Sequence, residues 1–514
     1  MLLKAKNLKV YAGGKRIVIL NEDDAEKLGT RMLTRVKIEY KNKSITAIPN
    51  VTKTLVEKGF IGLYEEVSSA LKIKDNEEVN VSLAPYPESL NFIKKKLKGR
   101  KLEYEEFYKI VKDVVDGNLS ESEISSFVVA LHSFGLDLNE AANLSLAMVE
   151  TGEKLDLKRK TVLDKHSIGG AIGDKTSMLL VPIIASLGYT IPKTSSRAIT
   201  SPAGTADKVE NLMPVDLEIE EMKRVVEKTN GCLVWGGALH LAPADDIFIK
   251  IEYPLEIDPL LFPSIMAKKK AVGATHLVID IPTGRGTKVK TIGDAQILAK
   301  DFIALGNLLN IKVNAAITYG EQPIGNAIGA SLEAREALEI LMRRKIVEDQ
   351  IDKVTSIAEI LLGMVGKKNG KEIARKVLES GKAEKKLREI IKEQGGNPNI
   401  KPEDIPIGKY TYDFVAEEDG FVIWIDNGGF ASLARAAGSP IFKGSGVYLY
   451  KKVGDAVKKG EKIFTIYAEK ESKLEEALKI MKEETIIGIG KRRKMLIQKV
   501  EDKFLAKKRF ILER

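Results

Sequence analysis

The sequence has very few metal-binding and redox-active side chains. Cys232 is its one cysteine in 514 residues. A lone thiol makes no intrachain disulfide and no cysteine-based zinc site, so a reducing compartment is expected. Histidine is almost as scarce, with His132, His166, His240 and His276 alone. None stands in an HExxH or His-x-His spacing, so no imidazole-built metal site is expected. Aromatic residues make up 6%, and no RNP-like aromatic motif is present, which argues against a nucleic-acid partner. Long apolar runs are missing as well. Met178–Ala185 is far too short to span a bilayer. The N-terminal MLLKAKNLKVYAGGK lacks the apolar core of a signal peptide. The expectation is a cytoplasmic protein with no membrane contact. High Lys and Glu with little Gln and Cys resembles a thermophile composition.

Charge is plentiful. There are 82 Lys and Arg against 72 Asp and Glu, a net charge of +10. Ten of the basic residues fall in 491–514, opposed there only by Glu501, Asp502 and Glu513. The excess is therefore mainly a C-terminal tail, not a field spread over the protein. A chain of this length holds two to four domains at about 100–200 residues each.

Four regions differ in pattern. Residues 1–85 read as a β-rich domain, since Val36–Tyr40 and Val79–Leu83 alternate apolar and polar. Asn21–Gly29 predicts a short helix with a Gly C-cap. The basic stretch Lys94–Lys101 reads as a solvated hinge, with nucleic-acid contact as the lesser alternative. Residues 86–160 read as a helical domain, with Ser120 a helix N-cap, completed by about 243–271. Residues 161–400, interrupted by that insertion, read as an α/β domain. Its strand candidates Ala274–Ile281 and Val313–Thr318 flank a helix over 292–310. Residues 401–514 read as a β-rich domain with the basic tail.

The strongest chemical signal is Asp164-Lys-His-Ser-Ile-Gly-Gly-Ala-Ile-Gly-Asp-Lys-Thr-Ser177. A strand candidate precedes it and an apolar helix follows. A Gly-rich turn at that junction aims backbone N–H groups at a phosphate. Lys165, Ser167 and Ser177 add side-chain donors. The alternative is a tight turn without a ligand. It is neither a P-loop nor a GxGxxG fingerprint. The second signal is Thr194-Ser-Ser-Arg-Ala-Ile-Thr-Ser-Pro-Ala-Gly-Thr-Ala-Asp-Lys-Val-Glu210, hydroxyls around one Arg. Capping of loop backbone is its plain alternative. Two such loops after strands of one sheet converge where α/β proteins bind ligands.

Together these segments resemble the thymidine/pyrimidine-nucleoside phosphorylase family. Ser195–Glu210 fits that family's signature, except that Pro202 stands where Thr or Ala is usual. Lys165-His-Ser-x-Gly-Gly170 fits its phosphate loop. The likeness covers about residues 100–480, including Val234–Gly237 and Pro263–Lys269. The 84 residues in front, Ser196–Ser201 and Pro282-Thr-Gly-Arg-Gly-Thr-Lys288 resemble its archaeal AMP phosphorylase branch. A substrate with a 5′-phosphate needs extra cationic and N–H donors, which Arg285, Lys288 and their Gly turn supply. A solvated basic turn is the alternative there.

The resemblance implies a fold and a reaction. The fold is α/β: a helical domain plus a mixed-sheet α/β domain of the class II nucleoside phosphorylase kind, with β-rich terminal domains. The reaction is phosphorolysis of AMP, and of other nucleoside 5′-monophosphates, to free base and ribose 1,5-bisphosphate. Phosphate would lie among Lys165, Ser167, Ser177, Ser195 and Thr205. AMP would meet Gly170, Ser196, Arg197, Ala198, Ile199, Thr200, Ser201, Thr205, Ser264, Lys268, Arg285 and Lys288. Ser264 and Lys268, one helical turn apart, would face the base. Asp258 would protonate it. On residue chemistry alone Asp258-Pro259 equally fits a helix N-cap. Asp258 is six residues before Ser264 where relatives have eight, and Glu256 holds that other position. His166 has a structural alternative, Asp245-Asp246 is assigned no chemistry, and Cys232 reads as a core residue. No motif calls for a metal or cofactor. The resemblance implies a homo-oligomer, at least a dimer, through the helical domain. A pyrimidine-nucleoside phosphorylase is the nearest alternative. An anthranilate-type phosphoribosyltransferase would need a pyrophosphate-and-metal site that the sequence does not display.

Overall fold

Alternation in the first 84 residues closes into a barrel. Its strands are β1 (Leu2–Asn7), β2 (Ile17–Asn21), β3 (Arg35–Tyr40), β4 (Lys43–Thr52), β5 (Phe60–Leu63) and β6 (Glu78–Ala84). They run in the order β1-β5-β2-β4-β3-β6, and β6 returns to β1. Val36, Ile38 and Tyr40 point inward, while Lys37 and Glu39 pair outside. Helix α1 (Glu22–Leu28) is capped by the Asn21 side chain and ends at left-handed Gly29, as the sequence predicts. Helix α2 (Glu65–Leu71) completes this domain. The computed structural model describes residues 1–30, 34–198 and 201–491.

The helical layer begins with α3 (Ser89–Lys96), α4 (Tyr104–Val115), α5 (Glu121–Phe134) and α6 (Leu138–Glu150). Ser120 and Glu123 form a capping box at α5, and Asp137 and Glu140 form one at α6. Three of the six cations at 94–101 are paired within the layer: Lys95 with Glu106, Lys96 with Glu140 and Lys101 with Asp137. These are domain contacts, and the nucleic-acid alternative has no claim on those three lysines. The barrel docks on this layer through Arg35, which is buried, pairs with Glu123 and donates to the Asn118 carbonyl at 2.8 Å.

The chain then enters a sheet. It forms β7 (Leu163–Ser167), α7 (Thr176–Ser186), β8 (Ile191–Ser195), α8 (Thr205–Val209), α9 (Ile219–Thr229) and β9 (Gly231–Trp235). It returns to the helical layer as α10 (Pro243–Leu255) and α11 (Leu261–Ala271), which pack on α4, α5 and α6. It comes back as β10 (His276–Thr283), α12 (Ile292–Leu308), β11 (Lys312–Tyr319) and β12 (Ala327–Ile328). Helices α13 (Ala330–Leu341), α14 (Glu348–Met364), α15 (Gly370–Glu379) and α16 (Lys382–Glu393) follow. Helix α7 lies under α14, α15 and α16, which explains its almost unbroken apolar sequence.

Pairing of β11 with β10, β10 with β7, and β8 with β9 is parallel, and the Val162–Thr190 bridge joins β7 to β8. The spatial order is therefore β11-β10-β7-β8-β9. These five strands are all parallel. The antiparallel part of the expected mixed sheet is confined to β12, which pairs with the C-terminal domain. The chain starts at β7, winds outward through β8 and β9, and returns on the other side at β10. The strand order reverses between β7 and β10, the place where such sheets bind ligands.

The last domain comprises β13 (Tyr410–Val415), β14 (Gly420–Ile425), α17 (Asn427–Ala436), β15 (Gly446–Leu449), β16 (Ala456–Val457), β17 (Lys462–Ala468), α18 (Glu471–Glu483) and β18 (Ile487–Gly490). Its core holds Phe430, Val447, Phe464 and Ile466. Among the described residues no helix is long and apolar enough to cross a membrane. The basic tail beyond Lys491 lies outside the described residues.

Lys96 and Glu140 are both buried and lie 2.7 Å apart. Lys96→Met strands the carboxylate, and about 3–5 kcal/mol of stability should be lost. Adding Glu140→Gln should recover part of the fall in Tm. An unchanged Tm in the single variant would show that the pair does not hold α3 to α6.

Candidate active site

Four charged side chains from separate elements meet beneath the β7–β10 junction. Lys165 of β7 lies 3.0 Å from Asp280 of β10 and 3.8 Å from Asp174 of the Gly-rich loop. Lys353 of α14 reaches the same two carboxylates, Asp280 at 3.0 Å and Asp174 at 3.1 Å. Thr318 of β11 donates to Asp280 at 2.7 Å. Burial opposes ionisation of Asp174, yet Lys353 and Lys165 hold its carboxyl well below the usual range. A neutral sum of two cations and two anions makes this burial tolerable. Lys193 of β8 is buried beside it and donates to the Lys165 carbonyl at 2.7 Å. Burial, with Lys269 adding repulsion, pushes the Lys193 ammonium far below its ordinary value. Lys269 itself pairs with Asp164 at 2.7 Å. His166 is held neutral by burial and by Lys269, Lys193 and Lys165.

Above this network the loop of residues 168–175 leads into α7. Ser167 accepts from the Gly169 N–H at 3.4 Å, and Ser177 stands in the first turn of α7. Lys165 is thus at the base of the loop, already engaged by two carboxylates. Ser195 ends β8 and donates to the Val234 carbonyl at 3.1 Å. Thr205 opens α8. The five candidate phosphate contacts therefore come from the C-terminal ends of β7 and β8 and the helix starts that follow.

The loop after β8 is organised by Asp207. Its carboxylate accepts from the N–H groups of Ala198 at 2.7 Å and Gly204 at 2.8 Å. Arg197 turns away from the loop. Its guanidinium pairs with Glu210 at 2.7 Å, meets Asp207 and Asp216 at 3.4 Å and stacks 4.9 Å over Trp235. Those partners, Glu210 foremost, hold it firmly charged. What Arg197 offers a ligand is backbone rather than guanidinium. Ser196 accepts the Ala206 N–H through its carbonyl, and Ser201 donates to the Ala203 carbonyl at 3.3 Å. Ile199 and Thr200 lie outside the described residues.

The turn after β10 packs directly on the Gly-rich loop. Gly170 has φ +95, and a Cβ there would meet the Lys288 nitrogen at 2.6 Å. Glycine is required twice over, by backbone conformation and by approach. Lys288 in turn reaches across to Asp258 of the helical layer at 3.9 Å. Arg285 is exposed on the same turn, and its N–H donates to Glu321 at 3.4 Å. One short stretch thus bridges the Gly-rich loop and the α10–α11 connection.

Asp258 does not cap α11. Leu260 holds that position, and no side-chain cap bond is made. Glu256 stands in the left-handed position (φ 53) that closes α10. The Asp258 carboxyl is half exposed, and partial burial lifts its pKa while Lys288 opposes the lift. Beneath it Glu252 of α10 is buried and accepts the Leu260 N–H at 3.1 Å. Burial pushes the Glu252 carboxyl up to about 7. A groove of about 680 Å³ also borders Asp258. It is lined by Leu136, Leu261, Phe262, Asp137 and Asp301, a setting hostile to a phosphate.

Ser264 and Lys268 share a face of α11, as their spacing predicts, and one carboxylate joins them. Asp245 of α10, fully buried, accepts from Ser264 Oγ at 2.9 Å and pairs with Lys268. Burial would lower the Lys268 ammonium, but Asp245 outweighs it and holds the pKa above normal. The sequence reading assigned no chemistry to Asp245, because its partners lie 19 and 23 residues away with nothing local to mark them. It also passed over Lys353 and Asp280 for the same reason, and over Asp207 and Asp174 although both lie inside the quoted motifs. Cys232 is buried in the core, where burial pushes its thiol up.

Known proteins share this chain's pattern. Residues 90–152 match the glycosyl transferase family helical bundle domain and residues 159–384 its a/b domain. Residues 421–488 match the pyrimidine nucleoside phosphorylase C-terminal domain. An AMP phosphorylase of Thermofilum pendens is 50% identical over the whole of both chains. One of Pyrococcus furiosus is 51% identical over 92% of this chain and 95% of its own. AMP phosphorylase 1 of Archaeoglobus fulgidus is 46% identical over 95% and 98%. Among solved structures, anthranilate phosphoribosyltransferase of Thermus thermophilus superposes with a TM-score of 0.50 at 20% identity. It covers 59% of this chain and 98% of its own, a likeness of fold.

Two measurements probe this geometry. Gly170→Ala adds roughly 1–2 kcal/mol of left-handed strain and displaces Lys288. The specific activity of the purified variant should fall at least about tenfold, and full activity would contradict the close approach. Glu252 binds its proton more tightly folded than unfolded, so its contribution to stability declines as pH rises from the usual carboxylate range through about 7. Glu252→Gln removes that penalty. Its Tm advantage over the parent should grow from pH 5 to pH 8, whereas a constant difference would contradict a buried, protonated Glu252.

Proposed function

We propose how this chain, which belongs to the AMP phosphorylase family, uses the switch-point cleft to cleave AMP with inorganic phosphate. The observation that carries the reading is the placement of Lys288. It touches Gly170 of the phosphate loop on one side and faces Asp258 on the other. Anion sites on the sheet and an acid on the helical layer thereby border one cleft.

In this reading phosphate lies among Lys165, Ser167, Ser177, Ser195 and Thr205, at the helix starts where N–H groups and the helix dipole favour an anion. The ribose 5′-phosphate lies at the turn bearing Arg285 and Lys288, beside Gly170. Ser196, Arg197, Ala198 and Ser201 offer backbone groups to the sugar and nucleotide phosphate. The base extends toward Ser264 and Lys268, whose donors Asp245 orients. Other nucleoside 5′-monophosphates enter the same way, since only the base end differs.

Phosphate oxygen attacks C1′ from the face opposite the base. Positive charge develops on the sugar, as in other glycosyl transfers, and the adjacent phosphate anion stabilises it. The C1′–N bond breaks as the C1′–O bond forms. Asp258 gives its proton to the departing base nitrogen, and the products are free base and ribose 1,5-bisphosphate. An acid at neutral pH needs a raised pKa, which partial burial supplies and a base filling the cleft would increase. Closure of the helical layer on the sheet brings the reactants together and excludes water.

The same reading takes the chain as cytoplasmic and at least dimeric. The buried, unpaired Cys232 suits a reducing setting. Leu97, Val129 and Phe134 stand exposed on the helical domain, where a second copy would cover them.

Asp258→Asn keeps the shape and removes the proton. Turnover should fall about 10²–10⁴-fold, while AMP affinity in equilibrium titration stays within about twofold because ground-state contacts persist. Turnover near the parent value would remove Asp258 as the acid. Phosphate-dependent base release should be faster from AMP than from adenosine by about tenfold or more, and equal rates would remove the 5′-phosphate site from the turn.

A further inference from the structure

The C-terminal domain touches the turn that bears Arg285 and Lys288. Trp424 of β14 lies under Arg285, with the guanidinium carbon 5.7 Å from the ring centroid. A ring there holds the guanidinium plane by cation–π attraction and leaves its N–H edge free to bond elsewhere. Three residues on, at the start of α17, Asn427 packs against Gly286. A Cβ at Gly286 would lie 3.3 Å from that of Asn427. Asn427 is 1% exposed, and its amide donates to the Gly320 carbonyl at 2.5 Å. Gly320 donates to the Thr283 carbonyl at 3.0 Å, where the turn begins. The Asn427 Oδ1, equally buried, accepts no hydrogen bond from the described residues.

The rest of the domain holds this contact in place. Lys452 donates to the carbonyls of Pro323 and Gly325 and pairs with Asp349 at 3.2 Å. Leu449 donates to the Asn326 carbonyl at 2.7 Å, next to the β12–β15 pairing. The segment after β11 is thus clasped to the C-terminal domain, and the turn rests on that clasp. Arg285 otherwise has no fixed partner for its guanidinium among the described contacts, since Glu321 takes only its backbone N–H.

We propose that Trp424 and Asn427 are positioning residues that hold the Arg285–Lys288 turn for a 5′-phosphate, so that the C-terminal domain sets the preference for nucleotides over nucleosides. This rests on the assignment of that turn to the 5′-phosphate. Trp424 fixes the direction of the Arg285 guanidinium. Asn427 fixes the height of the Gly286 backbone and, through Gly320, the start of the turn. Neither touches substrate.

The test uses the full chain and compares AMP, adenosine and inorganic phosphate as varied substrates. Trp424→Leu should raise KM for AMP about three- to fivefold and lower the AMP-over-adenosine ratio of kcat/KM by the same factor. KM for phosphate should stay within about twofold. Trp424→Phe keeps a ring face and should retain most of the preference. Asn427→Ala should act in the same direction; should it fail to fold, the Trp424 pair decides alone. An unchanged AMP-over-adenosine ratio in Trp424→Leu overturns the inference. So does an equal rise of KM for AMP and for phosphate, which would mean general loosening. Arg285→Ala and Lys288→Ala separate the two layers. If they leave KM for AMP unchanged, the 5′-phosphate reading itself fails. If they raise it while the Trp424 and Asn427 variants do not, only the role of the C-terminal domain fails.

Discussion

Two lysines and two aspartates buried together under the switch point are the constraint on which the site depends. Lys165, Asp280, Asp174 and Lys353 come from β7, β10, the Gly-rich loop and α14. No one of them is stable in that place without the others, because an unpaired buried charge costs several kcal/mol. Their mutual pairing therefore ties the Gly-rich loop and α14 to the ends of β7 and β10, strands already joined by their backbone ladder. Helix α14, distant in sequence, is drawn in by the same requirement. The Gly170–Lys288 contact lies just beyond, since the Gly-rich loop and the turn after β10 leave the same ends of these two paired strands.

Around that anchor the labour divides between two bodies. In the proposed reaction the sheet contributes the anion sites, at strand ends and helix starts, and the helical layer contributes the acid and the base contacts, on α10 and α11. Each body has its own carboxylate that holds donors in order: Asp207 on the sheet side, Asp245 on the helical side. The bodies approach at Lys288 and Asp258, 3.9 Å apart. This is a weak contact between half-exposed groups, which suits the closure proposed for the cleft.

Much of this was legible in the sequence where the physics is local. Alternation at 36–40, the Gly29 cap, the Ser120 cap and the spacing of Ser264 and Lys268 each depend on residues a few positions apart. The Gly-rich loop was legible for the same reason. Partners distant in sequence were not. Asp245 stands next to Asp246, and adjacent side chains diverge, so only folding shows that it meets Ser264 and Lys268. Lys353 looked like one more helical lysine. Arg197 drew attention as a lone cation among hydroxyls, yet its side chain is held by Glu210, Asp207 and Asp216. The parallel run of the central strands also escaped local reading, because strand direction is a property of connections.

The most direct test is a structure of this chain crystallised with AMP and sulfate, the latter an unreactive stand-in for phosphate. The account predicts sulfate at the start of α7 beside Ser167 and Ser177. It also predicts the nucleotide 5′-phosphate at Arg285 and Lys288, and the base between Asp258 and Ser264. AMP bound with its 5′-phosphate away from that turn, or with its base remote from Asp258, would contradict it.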